Sequence, residues 1–430
     1  MKKFGPRVPA ERATRADRIA VIVITIIAVV WVGGVWLTSE ARHSHLSPAH
    51  GEPEADNRLA VVPASLHQAW THPVSGPAPT APLVSGSTVV TTSDTRVEGL
   101  DPATGSTRWS YSRDRNLCGI AASFSQVIPV FKGPGGCGEV HSLKGDTGRY
   151  SYSRSSANTS PIAMVRSNDH VGVVTPSRME LWRDDLVRTV EFGDVDNPAE
   201  PGLQPFTGCT IRSALTRSNM LGVVENCPHD KKSGNHAMLR LMKAVPQDSR
   251  KPEIIQSYNL GSETAHIVAI GEDKAAVYVD ATTPRIDVVD TKGHVTSSRD
   301  VTPSPLINED AHVNTASEHH VFEPAVSDGP HHMFWWDGAR LYAFDPESLS
   351  VDFVVADSLG TGDVIGDHHL LAPTNGAVSV IDTRTGRVEK TMPVDRQGGS
   401  PAPVGLRIAG TTVVERRGDA LIGYRAEQAP

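Results

Sequence analysis

A strand, a tight turn and a second strand recur along this chain, and that recurrence limits what it can fold into. Val97 to Arg113 reads VEGLDPATGSTRWSYSR. The pattern returns as VHSLKGDTGRYSYSR (Val140 to Arg154), LYAFDPESLSVDFVVA (Leu341 to Ala356) and VSVIDTRTGRVEKTMPV (Val378 to Val394), with looser copies at Met179 to Val190 and Ile286 to Val301. Each copy is too small to bury its own apolar face, so the copies must stack into one body. Upstream of each turn, a short Gly/Ser/Asn/Asp cluster precedes a β-branched run, as in SGSTVVTT at Ser85 or AGTTVVE at Ala409. Such clusters mark the hairpin between a first and a second strand. The second strands then start at Val89, Val127, Val171, Leu221, Ala275, Val321, Leu370 and Val413, in steps of 38 to 54 residues. That spacing suits four-stranded blades with unequal loops, and predicts an all-β, eight-bladed β-propeller over residues 59–427. The last unit, Thr411 to Tyr424, has chain for only three strands, whereas LHQAWTHP (Leu66 to Pro73) reads as an isolated outer strand. The N-terminal strand is therefore expected to complete the C-terminal blade and remove an open edge.

The turn residues have structural roles. Gly105, Gly148, Gly293 and Gly386 are expected to supply the positive φ of a tight hairpin, and Asp101, Asp146 and Asp382 to bind backbone amides in the same turns. Trp109 is expected to pack between blades.

Ahead of the body, residues 1–18 carry Lys2, Lys3, Arg7, Arg12, Arg15 and Arg18 against Glu11 and Asp17. Residues 19–37 then run without a charge, long enough for a transmembrane helix. The basic flank predicts a cytoplasmic N-terminus and an extracytoplasmic body in a single-pass cell-membrane protein, with the membrane as one partner. A cleaved signal peptide is the rival reading, and the length of the apolar run favours the anchor. Residues 38–58 are polar and Pro-containing and read as a flexible linker, in which His43, His45 and His50 are solvated.

Cys118 and Cys137 are 19 positions apart, and Cys209 and Cys227 are 18 apart. In each pair the first opens one predicted strand and the second closes the next, so each can meet across an antiparallel ladder. Two disulfides, 118 with 137 and 209 with 227, are predicted, in keeping with an oxidising compartment. No CxxC spacing supports zinc. The net charge of −8 gives no electrostatic footprint for nucleic acid.

The turns LDPATGSTRW (Leu100 to Trp109), LKGDTGRYSY (Leu143 to Tyr152) and IDTRTGRVEK (Ile381 to Lys390) resemble the repeat of PQQ-like β-propellers, the BamB-like and quinoprotein-type family, over nearly all of Leu66 to Tyr424. The layout as a whole is similar to membrane-anchored actinobacterial proteins with PQQ-binding-like propellers. The resemblance implies either a quinone-dependent dehydrogenase or a non-catalytic propeller of the outer-membrane-assembly kind. The dehydrogenases of the family carry adjacent cysteines against the cofactor, and this chain has no Cys-Cys step.

No GxSxG, HExxH, Walker-type or Rossmann motif occurs in a fitting context. The pairs His319-His320, His331-His332 and His368-His369 would need one histidine from each blade plus Asp363 or Asp367 to hold a metal, since neighbours on a strand point to opposite faces. No catalytic, cofactor or metal residue is assigned, and no cofactor is expected. The long polar loops Phe192 to Gly208, Glu225 to Met238 and Thr302 to His312 are the expected recognition surface. Candidate partner contacts are His229, Lys231, Lys232 and Asn235, with Trp335 and Trp336 of the MFWW run added if that run is exposed. These residues predict a non-enzymatic protein-binding or assembly scaffold of the cell envelope. The alternative is a small-molecule or quinone-binding propeller with redox activity.

Overall fold

The computed structural model describes residues 13–50, 58–196, 198, 200–231, 233–313, 320–396 and 403–428. The chain divides into two units, Met1–His45 and Leu46–Pro430. The first contains the helix Arg15–Leu37, opened by a capping box. The Thr14 hydroxyl accepts from the Asp17 N–H at 3.2 Å, and the Asp17 carboxylate accepts from the Thr14 N–H at 2.7 Å. Its 23 residues, about 35 Å at the rise of an α-helix, are long and apolar enough to cross a membrane. The helix starts four residues before the apolar run because the cap lies at Thr14.

The second unit is an eight-bladed β-propeller of antiparallel sheets. Blades 1 to 7 span residues 83–113, 117–155, 163–193, 210–259, 265–300, 325–355 and 363–393. Blade 8 joins three strands over residues 404–427 to Ser65–Pro73. Innermost strands are neighbours around the ring: Leu83–Ser85 touches both Leu117–Ser123 of blade 2 and Val404–Ala409 of blade 8. The ring closes as expected, with Ser65–Pro73 antiparallel to Ala420–Glu427 and Trp70 opposite Gly423.

The repeat explains how one blade holds the next. Trp109, on the outermost strand of blade 1, is buried, and its indole N–H donates to Gly145 O in the blade 2 turn at 2.8 Å. Trp70 of blade 8 donates in the same way to Pro102 O in the blade 1 turn, also at 2.8 Å. The turn glycine lies under the ring. A Cβ on Gly105 would come within 2.6 Å of Trp70, and one on Gly148 within 2.6 Å of Trp109. Both glycines also have φ near +70°, where a side chain is strained. In the degraded turns of blades 3 and 6, Leu186 and Leu349 take the positive-φ position instead, at φ 61° and 53°.

Two expectations are corrected. The second strand of blade 6 is Met333–Trp336, not a strand at Val321. Val321 and Phe322 are apolar because they pack, buried, from the segment before the blade. The expected linker is partly ordered as well. Leu46 and Ser47 end a short strand beside the outermost strand Thr107–Arg113 of blade 1, and the buried Ala49 donates its N–H to Thr147 O at 2.9 Å. An outermost strand offers unpaired backbone groups, and this segment covers them. Residues 51–57 lie outside the described residues.

Trp70→Ala removes a buried indole and its bond at the seam. It should cost about 3–5 kcal/mol in denaturant unfolding, whereas exposed Gln68→Ala on the same strand should change stability by less than about 0.5 kcal/mol.

Candidate functional site

All blades run the same way from their innermost strand, so the two faces of the disc carry different connections. First-to-second and third-to-fourth hairpins gather on one face. Second-to-third loops and blade-to-blade crossings gather on the other. The segments 194–209, 227–236 and 301–324 all belong to this second face, spread over blades 3 to 6. The third contains a helix, Pro305–Val313, where the sequence reading expected a loop. Ser304 accepts from the Ile307 N–H at 3.3 Å and Pro305 takes the first helical position, a start signal present in the sequence.

Blade 4 fastens two of these segments together. Thr210 and Asn226 form the end pair of its first ladder, and just beyond it Cys209 and Cys227 are joined with Cα atoms 4.4 Å apart. The second predicted disulfide, Cys118–Cys137, is formed on the same face in blade 2. Arg240, on the third strand of blade 4, is 1% exposed and donates from Nε to Glu225 at 2.8 Å and from Nη2 to Asp230 at 2.8 Å. The Phe206 ring of the 194–209 segment lies 3.7 Å from its guanidinium carbon. One buried cation therefore ties the strand, the following loop and the preceding crossing. Burial pushes the Glu225 carboxyl up to about 7, against the lowering effect of Arg240. Gln204 donates to Glu191 O and Arg250 O, and Asn259 donates to Ser233 O at 2.8 Å, completing the platform.

His229, Lys231 and Asn235 are exposed on the 227–236 loop, with Asn235 at φ 69°. Lys232 lies outside the described residues. Trp335 and Trp336 are corrected: at 0% and 2% exposure they are interior strand residues, Trp335 stacked on Tyr342 and Trp336 bonded to Ser358 O at 2.8 Å. Four aromatic and apolar side chains in a row mark a strand buried on both faces.

The central channel holds a cavity of about 360 Å³ that the sequence reading missed. Arg166, Arg217, Arg407, Glu323, Asp328 and Glu272 line it. Arg217 pairs with Asp328 at 3.3 Å. Arg407 donates to Gly362 O at 2.8 Å and sits beside Asp363, whose carboxylate accepts from the Ile408 N–H at 2.9 Å. Burial raises the carboxyls of Glu323 and Asp363, with Arg166 and Arg407 respectively opposing it, and lowers Arg407. A signal existed: Arg166, Arg217 and Asp328 each end an innermost strand just before its hairpin, where a propeller places side chains at the axis.

The histidine pairs do not converge on a carboxylate. His331 and His368 come together from neighbouring blades, but their rings stack at 5.2 Å. His332 bonds Asp352 at 3.0 Å, His369 faces Glu389 at 3.4 Å, and His320 pairs with Asp310 at 2.5 Å. His319 lies outside the described residues. Among the described residues, the one group of three potential ligands close enough for an ion is Cys209, Glu225 and Cys227, and its two sulfurs are bonded to each other.

Two buried histidines set an acid limit. Burial, with Arg113, lowers His141 to about 3, and burial, with Arg212 and His320, lowers His266 to about 3. Both stay neutral in the fold, while the unfolded chain takes up their protons below pH 6.5. Stability is therefore lost as pH falls from 6.5 toward 3, by up to about 1.4 kcal/mol per pH unit for each histidine. Glu225 acts in the opposite sense between 4.5 and about 7, because the fold holds its proton. His266→Gln should flatten the stability slope between pH 6.5 and 4.5 by up to about 1.4 kcal/mol per pH unit in denaturant titrations at several pH values.

Residues 55–178 match the family model described as outer membrane protein assembly factor BamB. No curated protein matches the chain. Among solved structures, BamB from Moraxella catarrhalis is similar at 11% identity and a TM-score of 0.48, over 85% of this chain and 99% of that one. The dihydro-heme d1 dehydrogenase NirN, solved with DHE, is similar at 12% identity and 0.45, over 85% and 77%. Saccharomyces cerevisiae Sqt1 is similar at 10% identity and 0.45, over 87% and 100%. The chain is an eight-bladed β-propeller, and its residues 55–178, which contain the LDPATG and LKGDTG turns, are similar to the BamB repeat family.

Proposed function

We propose that this protein is a membrane-anchored, extracytoplasmic, non-enzymatic propeller that binds a protein partner and serves as an assembly scaffold in the cell envelope. The observation that carries this reading is the platform on blade 4. Two long segments, 194–209 and 227–236, are fastened by a disulfide and a buried arginine, and the second presents His229, Lys231 and Asn235 to solvent. Ordered, irregular loops on a rigid disc suit recognition of a folded surface, because little is lost in ordering them on binding. The basic residues before the apolar helix favour a cytoplasmic N-terminus, and two disulfides favour an oxidising compartment for the body. The matched family model bears the name of an assembly factor, which fits the same reading.

The channel favours a second reading, binding of a small molecule with redox activity. Its volume lies at the small end of ligand sites, and Arg166, Arg217 and Arg407 would suit a ligand bearing carboxylates, such as a quinone acid.

Crosslinking and pull-down from native membranes tests the first reading. The triple variant His229→Ala, Lys231→Ala, Asn235→Ala should lower recovery of the partner about tenfold or more with an unchanged unfolding midpoint. Equal recovery by the variant would count against the platform. In parallel, pyrroloquinoline quinone and Ca²⁺ are titrated into the purified protein. Saturable binding abolished by Arg166→Ala, with dye reduction, would establish the second reading in place of the first.

A further inference from the structure

The two disulfides have different surroundings. At Cys118–Cys137 the polar contacts are to the backbone of Cys137, whose N–H donates to Asn158 O at 2.8 Å and whose carbonyl accepts from Asn158 Nδ2 at 3.3 Å. At Cys209–Cys227 they are to a sulfur. Glu225 Oε1 lies 3.2 Å from Cys227 Sγ, and Arg240 Nη2 lies 3.6 Å from the same atom. Glu225, Cys227 and Arg240 share one face of the blade 4 sheet, with Phe206 packed over the guanidinium.

This arrangement suits a thiol better than a disulfide. A disulfide sulfur has no proton to offer, so the carboxylate oxygen beside it, which accepts from Arg240 Nε, gains a second donor when Cys227 is reduced. A guanidinium within 4 Å stabilises a departing thiolate. The other carboxylate oxygen, Glu225 Oε2, is buried without a hydrogen-bond partner, an unfavourable position for a charged carboxylate, so a proton held on Oε1, against the sulfur, is favoured. The charged groups facing Glu225 are Arg240 from the third strand, which favours its ionised form, and Asp230 from the loop, which opposes it. Access is asymmetric. Cys227 is 2% exposed, whereas Cys209 is half-buried, with exposed Gly208 before it and exposed Pro228 and His229 after Cys227.

We propose that Cys209–Cys227 is a thiol–disulfide exchange site that accepts electrons from an external dithiol, with Glu225 and Arg240 serving the buried sulfur. One thiolate of the dithiol attacks Cys209 Sγ, the Cys209–Cys227 bond breaks, and a mixed disulfide forms. Cys227 leaves as a thiolate beside Arg240 and takes a proton from Glu225, which remains a carboxylate bonded to Arg240 Nε and to the new thiol. The second thiolate then attacks its own partner sulfur in the mixed disulfide and releases Cys209. The dithiol loses two electrons and two protons and closes to a disulfide. One of those protons reaches Cys209 through solvent, and the other stays in solvent in place of the one from Glu225. Attack at Cys209 with departure of Cys227 follows from exposure, since the attacking thiol needs access and the leaving thiol needs stabilisation.

The test uses the full chain in detergent, equilibrated across ratios of reduced to oxidised dithiothreitol. Free thiols are alkylated and quantified per cysteine by peptide mass spectrometry, while circular dichroism follows the fold. Cys209 and Cys227 should become alkylated together at a reductant ratio about tenfold or more below that for Cys118 and Cys137, with the β-sheet signal unchanged. The rate of reduction, corrected for the thiolate fraction of dithiothreitol, should fall as pH rises through about 7. In Glu225→Gln that rate should be about tenfold lower or more at pH 6 and independent of pH. Reduction of both disulfides at one ratio, reduction only on unfolding, or a wild-type pH profile matching that of Glu225→Gln would each overturn the proposal. The wild-type titration decides the matter even if the variant does not fold.

Discussion

An indole laid across the glycine turn of the next blade holds neighbouring units of this ring together, and the rest of the body depends on that contact. Trp109 and Trp70 each do three things: they bury a large apolar surface, place one polar atom on a carbonyl of the adjoining turn, and require glycine beneath the ring. Even the strand partner is adapted, since a Cβ on Gly99 or Gly423 would fall within 2.1 Å of the ring opposite. Where the tryptophan is missing the join is made differently. Gln256 approaches the Gly293 turn, and Phe353 lies over Gly386. Such a ring has no terminal edge to protect, because Trp70 stands at the seam between the first and last blades.

On that scaffold the two faces diverge. Hairpins on one face are short apart from residues 244–253 of blade 4, while the other face carries the segments 194–209, 227–236 and 301–324 and both disulfides. The charged axis lies between them. Its arginines are matched by carboxylates from other blades, Arg217 of blade 4 by Asp328 of blade 6 and Arg407 of blade 8 by Asp363 of blade 7, so the channel is a zone of paired charge whose members are partly desolvated. The platform on blade 4 concentrates a buried ion pair, a cation–π contact and a disulfide within a few residues, on the longest second-to-third loop of the ring.

The fold was legible because its determinants are local and repeat. The apolar runs after Gly/Ser clusters and the LDPATG-type turns recur often enough to set the blade count, and the isolated strand at Leu66 to Pro73 sets the closure. Both disulfides form as expected, although Cys137 opens the third strand of blade 2 where the expectation had it close the second. Blade 6 was misplaced for a physical reason: Val321 and Phe322 follow a polar cluster just as a strand would, but they are apolar because they fill space beside His266, where the Phe322 ring lies at 4.6 Å. The sites were harder to read because their partners are distant in sequence. Arg240 interrupts the run AMLRLMK and Glu225 ends the run LGVVEN, and each looks like an isolated polar residue until the register places them side by side. Arg166, Arg217 and Arg407 come from three separate blades, and only closure of the ring makes them one environment.

The closing strand also sets a timetable. Ser65 and Glu427 are 362 positions apart and share a hydrogen bond, so the seam joins stretches of chain synthesised far apart in time. At ordinary elongation rates of about 5–20 residues per second, Ser65–Pro73 waits about 20–70 s for its partner. Throughout that interval the backbone of a strand bearing Leu66 and Trp70 lacks its partner strand, although the blade 1 turn under the indole is already made. A factor that shelters extended apolar segments would find here one defined client sequence, needed until Ala420–Glu427 is made and hidden afterwards.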